Sequence, residues 1–140
     1  MEIKNGGRMT DKRNNIKPTA SELEVLQILW ENGPSTVKSV NDELNNNKNV
    51  GYTTTLKIMQ IMHEKGLLDR EKSGRSHIYK PVPQKDETQN VLLEKILETA
   101  FAGSASKLIM QALGRSKTSK KEIEEIKEYL IKLERGNNES

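Results

Sequence analysis

The chain has 140 residues, 33% of them hydrophobic and 31% charged, with a formal net charge of +3. That length suits one ordinary domain, or a small domain with an accessory segment, and so apolar-poor a composition supports only a modest core. The absence of cysteine excludes disulfides and thiolate metal sites and fits a reducing, cytoplasmic setting, and no apolar run approaches the roughly 20 residues of a membrane span, so no membrane insertion is expected.

The positive excess is local. Through Val82 there are 13 Lys and Arg against 10 Asp and Glu, and beyond it 10 against 10. An excess this small permits nucleic-acid binding without demanding it. Residues 1–17 carry Arg8, Lys12, Arg13 and Lys17 but no apolar block, so they read as a flexible basic arm rather than a signal peptide.

Thr19 and Glu22 form a capping box ahead of an apolar run. Leu23, Leu26, Leu29 and Trp30 recur at helical spacing, with Glu24, Gln27 and Glu31 on the polar side, and Gly33-Pro34 stops the helix. Trp30, the only tryptophan, reads as a core anchor. Ser35 or Thr36 caps a second helix whose buried face is Val37, Val40 and Leu44. That helix dissolves in the turn-rich Asn45–Asn49.

A third helix runs from Gly51 to Gly66. At 100° per residue Leu56, Met59 and Met62 share a core face, widened by Thr55, Ile58 and His63. Thr53, Lys57, Gln60 and Glu64 share the opposite face. That outer stripe of donors and acceptors suits base edges and phosphates. Two short strands follow, 67–71 and 77–82, joined by the Gly-bearing loop Lys72–Ser76. Three helices and a hairpin with a basic tip form the winged-helix order, which sets Lys72 and Arg75 beside a duplex.

Pro81-Val82-Pro83 reads as a stiff boundary. Beyond it the chain is helical. Leu92, Leu93, Ile96, Leu97, Ala100 and Phe101 mark one helix over 84–102. Leu108, Ile109, Ala112 and Leu113 mark a shorter one ended by Gly114. Ser119 and Glu122 form a second capping box, followed by Ile123, Ile126, Leu130 and Leu133 at heptad-like steps. Three short amphipathic helices without a sheet leave apolar faces too large for their size, which predicts packing against a second copy. The predicted fold is therefore mostly α: a winged helix-turn-helix domain over 18–82, a three-helix dimerisation region over 83–134, and a disordered tail over 135–140.

These segments resemble the BlaI/MecI/CopY family of bacterial transcriptional repressors, the penicillinase-repressor type. The resemblance runs from about Pro18 to Leu133 and is carried by TASELEVLQILWENGPSTVKSV, YTTTLKIMQIMHEKGLLDREKSGRSHIYKPV, FAGSASKLIMQAL and KKEIEEIKEYL. It implies a homodimer that blocks transcription from a palindromic double-stranded DNA operator. It also implies a membrane-bound sensor metalloprotease as partner, which relieves repression by cleavage. Base contacts would fall to Thr53, Thr54 and Lys57, and wing contacts to Lys72, Arg75 and Ser76.

The chain departs from its relatives at three places. Where two branches are cleaved at an Asn-Phe bond, it has Gln111-Ala112, which argues against the same cleavage specificity. The copper-responsive branch carries Cys-x-Cys pairs that are absent here, so thiolate copper sensing is excluded. Ile61 stands where many members have a basic residue.

Bottom-up geometry adds Gln60 as a candidate base contact, and Ser35, Thr36 and Tyr52 as backbone donors. No catalytic constellation, cofactor motif or ligand-spaced partner for His63 or His77 is present. The alternative to a repressor is a winged-helix adaptor for proteins. It would lack salt-dependent DNA binding and tolerate charge reversal on the third helix.

Overall fold

The computed structural model describes residues 17–139. Of the basic arm only Lys17 falls among them, so that expectation lies outside the described residues. The element order is α1 (Ala20–Asn32), α2 (Val37–Leu44), α3 (Tyr52–Lys65), β1 (Leu68–Ser73), β2 (Ser76–Pro81), α4 (Lys85–Ala100), α5 (Ala105–Arg115) and α6 (Lys120–Glu139). The chain divides into two compact units, and the division falls inside α4, between Glu94 and Lys95. That is some way beyond the boundary expected at Pro81–Pro83.

The first unit begins where local chemistry dictates. Glu22 N donates to Thr19 Oγ1 at 3.2 Å and Thr19 N donates to Glu22 Oε1 at 3.0 Å, so two of the helix's orphan donors are satisfied reciprocally. Glu22 is also buried and ion-paired to Lys65 Nζ at 2.7 Å, which ties the start of α1 to the end of α3. Gly33 ends α1 at φ 83.

The core is Val25, Leu26 and Leu29 of α1, Val37, Val40 and Leu44 of α2, Met59 and Met62 of α3, then Leu67, Leu68 and Tyr79. Val25 is fully buried although the helical spacing favoured Leu23, which is only half-buried. Trp30 packs on the edge of this core rather than inside it, and its indole Nε1 donates to Pro83 O at 3.0 Å. Among the described residues no helix is long and apolar enough to cross a membrane.

The hairpin is tighter than expected. Ser73 pairs with Ser76 and Lys72 with His77, so a two-residue turn, Gly74-Arg75, replaces the five-residue loop. Gly74 takes φ 62, as a glycine in the first central position of a type II′ turn does. A further pairing joins the hairpin to the helices. Ser35 N donates to Tyr79 O at 3.0 Å and Tyr79 N to Ser35 O at 2.8 Å. Thr36, not Ser35, is the cap of α2, accepting from Ser39 N at 3.2 Å.

In the second unit α5 is capped by Ser104 and passes Gly114 to end at Arg115. Glu122 N donates to Ser119 Oγ at 3.1 Å at the start of α6. The last helix does not stop near 134. It runs through Gly136 to Glu139, since one glycine costs a long helix only about 1 kcal/mol. The tail expected to be disordered is thus helical as far as it is described. No residue from Lys95 to Asn137 is buried.

Candidate nucleic-acid interface

The geometry of α3 depends on the turn before it. Asn41 Nδ2 donates to Thr55 Oγ1 at 2.8 Å and to Val50 O at 3.0 Å. Asn45 Nδ2 donates to Val50 O at 2.8 Å, and Asn45 Oδ1 accepts from Val50 N at 3.0 Å. The asparagine-rich stretch is therefore a wired connector that fixes the entry of α3 against α2. Thr55, Met59 and Met62 are buried, and Leu56 and Ile58 are partly buried against the core. Burying that side points Thr53, Thr54, Lys57 and Gln60 outward, and all four are exposed.

Gly51, the cap of α3, contributes no side-chain hydrogen bond, so the first-turn amides face an end of the helix that favours anions. Tyr52, at the first position, is 51% exposed. Lys57 has no ion-pair partner among the described residues, whereas Lys38 of α2 bonds Asp42 at 3.1 Å in a well-exposed pair. Ile61, 38% exposed, is an apolar residue on the otherwise polar outer side.

An open groove of about 410 Å3 lies between the start of α2, the start of α3 and the wing. Thr36, Tyr52, Arg75 and Ser76 converge on it, as do Lys38 and His77, two residues that sequence reasoning did not assign to the site. Lys38 escaped because a lysine in an i,i+4 pair looks like ordinary helix surface. His77 escaped because its neighbours come from two distant helices. Of the other candidates, Ser35 is engaged in the bridge to Tyr79 and donates Oγ to Gly33 O at 2.9 Å. Thr53, Thr54, Lys57, Gln60 and Lys72 do not line the groove.

The wing separates its charges. Cross-strand partners share a face, so Lys72 and Arg70 lie with His77 and Tyr79, while Asp69 and Glu71 lie with Lys80 and Ile78. The His77 and Tyr79 rings meet edge-on with centroids 6.2 Å apart. Among the described residues no cluster of His, Asp and Glu could hold a metal ion.

The candidates expected to dimerise are spread over both units. Leu92 belongs to the first unit; Ile96, Phe101, Leu108, Ile109, Leu113, Ile123, Ile126, Leu130 and Leu133 belong to the second. Ile96, Ile109, Leu113, Ile123, Leu130 and Leu133 are exposed, and Leu92, Phe101, Leu108 and Ile126 are half-buried. Gln111 and Ala112 are exposed within α5.

Three packed helices, an antiparallel hairpin after the third and an outward polar stripe on that third helix define a winged helix-turn-helix protein. Residues 18–132 match the penicillinase repressor family, and the chain belongs to that family, as its motifs led us to expect. It is 26% identical over 117 residues to the transcriptional regulator BlaI of Mycobacterium tuberculosis, covering 82% of this chain and 83% of the relative. It is 24% identical over 110 residues to the penicillinase repressor of Bacillus licheniformis, covering 79% and 86%. It is 20% identical over 114 residues to the methicillin resistance regulatory protein MecI of Staphylococcus aureus strain N315, covering 81% and 93%. The solution structure of the DNA-binding domain of the repressor BlaI matches 51% of this chain and 87% of its own length, at 24% identity and a TM-score of 0.46.

Proposed function

We propose that this chain is a DNA-binding transcriptional repressor that acts as a homodimer on a palindromic operator. The observation that carries the reading is the outward stripe of α3. Thr53, Thr54, Lys57 and Gln60 are held exposed by a helix whose other side is locked into the core and whose entry is fixed by Asn41. In this reading α3 enters the major groove, where those side chains reach base edges and nearby phosphates. Tyr52, Thr36 and the wing residues Lys72, Arg75 and Ser76 hold the backbone on either side.

Membership of the penicillinase repressor family supports the same reading. The second unit supports dimerisation, because a unit that buries none of its described residues, Lys95 to Asn137, lacks a core of its own. Repression is steric, and release follows loss of the dimer, since two half-sites bind far more tightly than one. Cleavage by a membrane-bound sensor metalloprotease is one route. At Gln111-Ala112 it would need α5 to unwind, because the bond lies inside that helix.

The test is a gel shift of the chain's own promoter across a salt series. A retarded complex whose affinity falls with salt is expected. Binding that ignores salt, or a normal shift from a Thr53→Ala, Lys57→Ala double variant, overturns the assignment.

A further inference from the structure

The groove between α2, α3 and the wing has a composition that the major-groove stripe does not explain. Its walls offer the Thr36 and Ser76 hydroxyls, the Tyr52 phenol, the Lys38 ammonium, the Arg75 guanidinium and the His77 imidazole, and among the described residues no carboxylate lines it. Resting on the repressor reading, we infer that this groove seats a phosphodiester of the bound duplex, with His77 as a donor that holds it more strongly when protonated. Operator affinity is therefore linked to pH.

The geometry supplies the parts. His77 is half-buried, and its ring stands edge-on against Tyr79, so the imidazole is held at the wall of the groove rather than swinging free. The charged and titratable groups around it are Lys38 from α2, Tyr52 from α3, and Arg75, Tyr79, the cross-strand partner Lys72 and Arg70 on the same face from the wing. Asp42, bonded to Lys38, is an acid one step removed from the groove. That exposed pair is weakly held, and Lys38 exchanges it for a phosphate.

An anion entering among these groups favours the imidazolium, because a nearby opposite charge favours the charged form. An imidazolium donates from both ring nitrogens and a neutral imidazole from one. Binding the duplex then takes up a proton, and the sign is fixed: affinity rises as pH falls through the range where imidazole titrates. The second histidine, His63, lines a different groove with Asp69, Glu71, Arg70 and Lys80 and serves as the internal control.

The experiment uses the full chain and a duplex recovered by selection from a random-sequence pool. Affinity is measured between pH 6 and pH 8 at fixed ionic strength for the wild type, His77→Gln and His63→Gln. Wild type and His63→Gln are expected to bind roughly tenfold more tightly at the acid end, with most of that dependence lost in His77→Gln. Imidazole resonances of the wild type, titrated with and without duplex, give a readout that needs no variant. The His77 resonances respond to the duplex and the His63 resonances do not. A His77→Gln chain that keeps the full pH slope, or a His77 resonance indifferent to DNA, overturns the seat and leaves the repressor reading standing. Failure to bind any duplex at every pH removes both.

Discussion

At the scale of single residues, the interface separates side chains that read from side chains that hold. Lys57 is exposed on the outer side of α3 with no ion-pair partner among the described residues, so Lys57→Ala should weaken duplex binding by about 1–3 kcal/mol. The melting temperature should stay within a degree or two of wild type, because nothing in the fold leans on that ammonium. Arg75→Ala at the wing tip should behave alike. Asn41 is the opposite case. Its amide serves a buried threonine and a backbone carbonyl at once, so Asn41→Ala leaves polar groups short of partners and should cost about 1–3 kcal/mol of stability, read by urea unfolding. DNA binding should suffer with it, because the loosened turn no longer sets where α3 begins. Asn41 was invisible in the sequence. Its partners lie 9 and 14 residues away, and an asparagine inside a short helix advertises no such reach.

At the scale of elements, the helix starts were legible because capping is local chemistry. The Thr19 and Glu22 box, the start of α2 at Ser35 or Thr36 and the Gly66 end of α3 all depend on residues within a few positions of one another. The outward stripe of α3 was legible for the same reason, since periodicity alone sorts its faces. The wing was legible as a hairpin but not in its register. Lys72 and Ser76 look like loop residues, and only pairing with the opposite strand makes them strand residues. The bridge from Ser35 to Tyr79 joins the entry of α2 to the wing, and no local signal announces it. The tight turn carries its own prediction. A Cβ at Gly74 would touch nothing within 4 Å, yet φ is 62 there, so Gly74→Ala should impose about 1 kcal/mol or more of purely backbone strain. Hydrogen exchange should report that strain in the hairpin amides, with the slowest-exchanging core of α1 to α3 unchanged.

At the scale of the molecule, the two units differ in how they are stabilised. The first has a closed core and wired connections. The second exposes Ile109, Leu113, Ile123, Leu130 and Leu133, and in the proposed dimer a second copy covers them. Placing Asp at both Ile126 and Leu130 should give monomers by sedimentation, with operator affinity reduced at least a hundredfold as bivalency is lost. Dimers that persist unchanged would mean that those helices are stabilised in another way. The bond from the Trp30 indole to Pro83 O has a further consequence, a spectroscopic one. Trp30 is the sole tryptophan of the chain, and it grips the backbone where the chain leaves the wing. Its emission is a native, label-free reporter of that one junction. A red shift on adding operator would show the grip opening as the wing engages, and constant emission would show a domain that meets DNA already set.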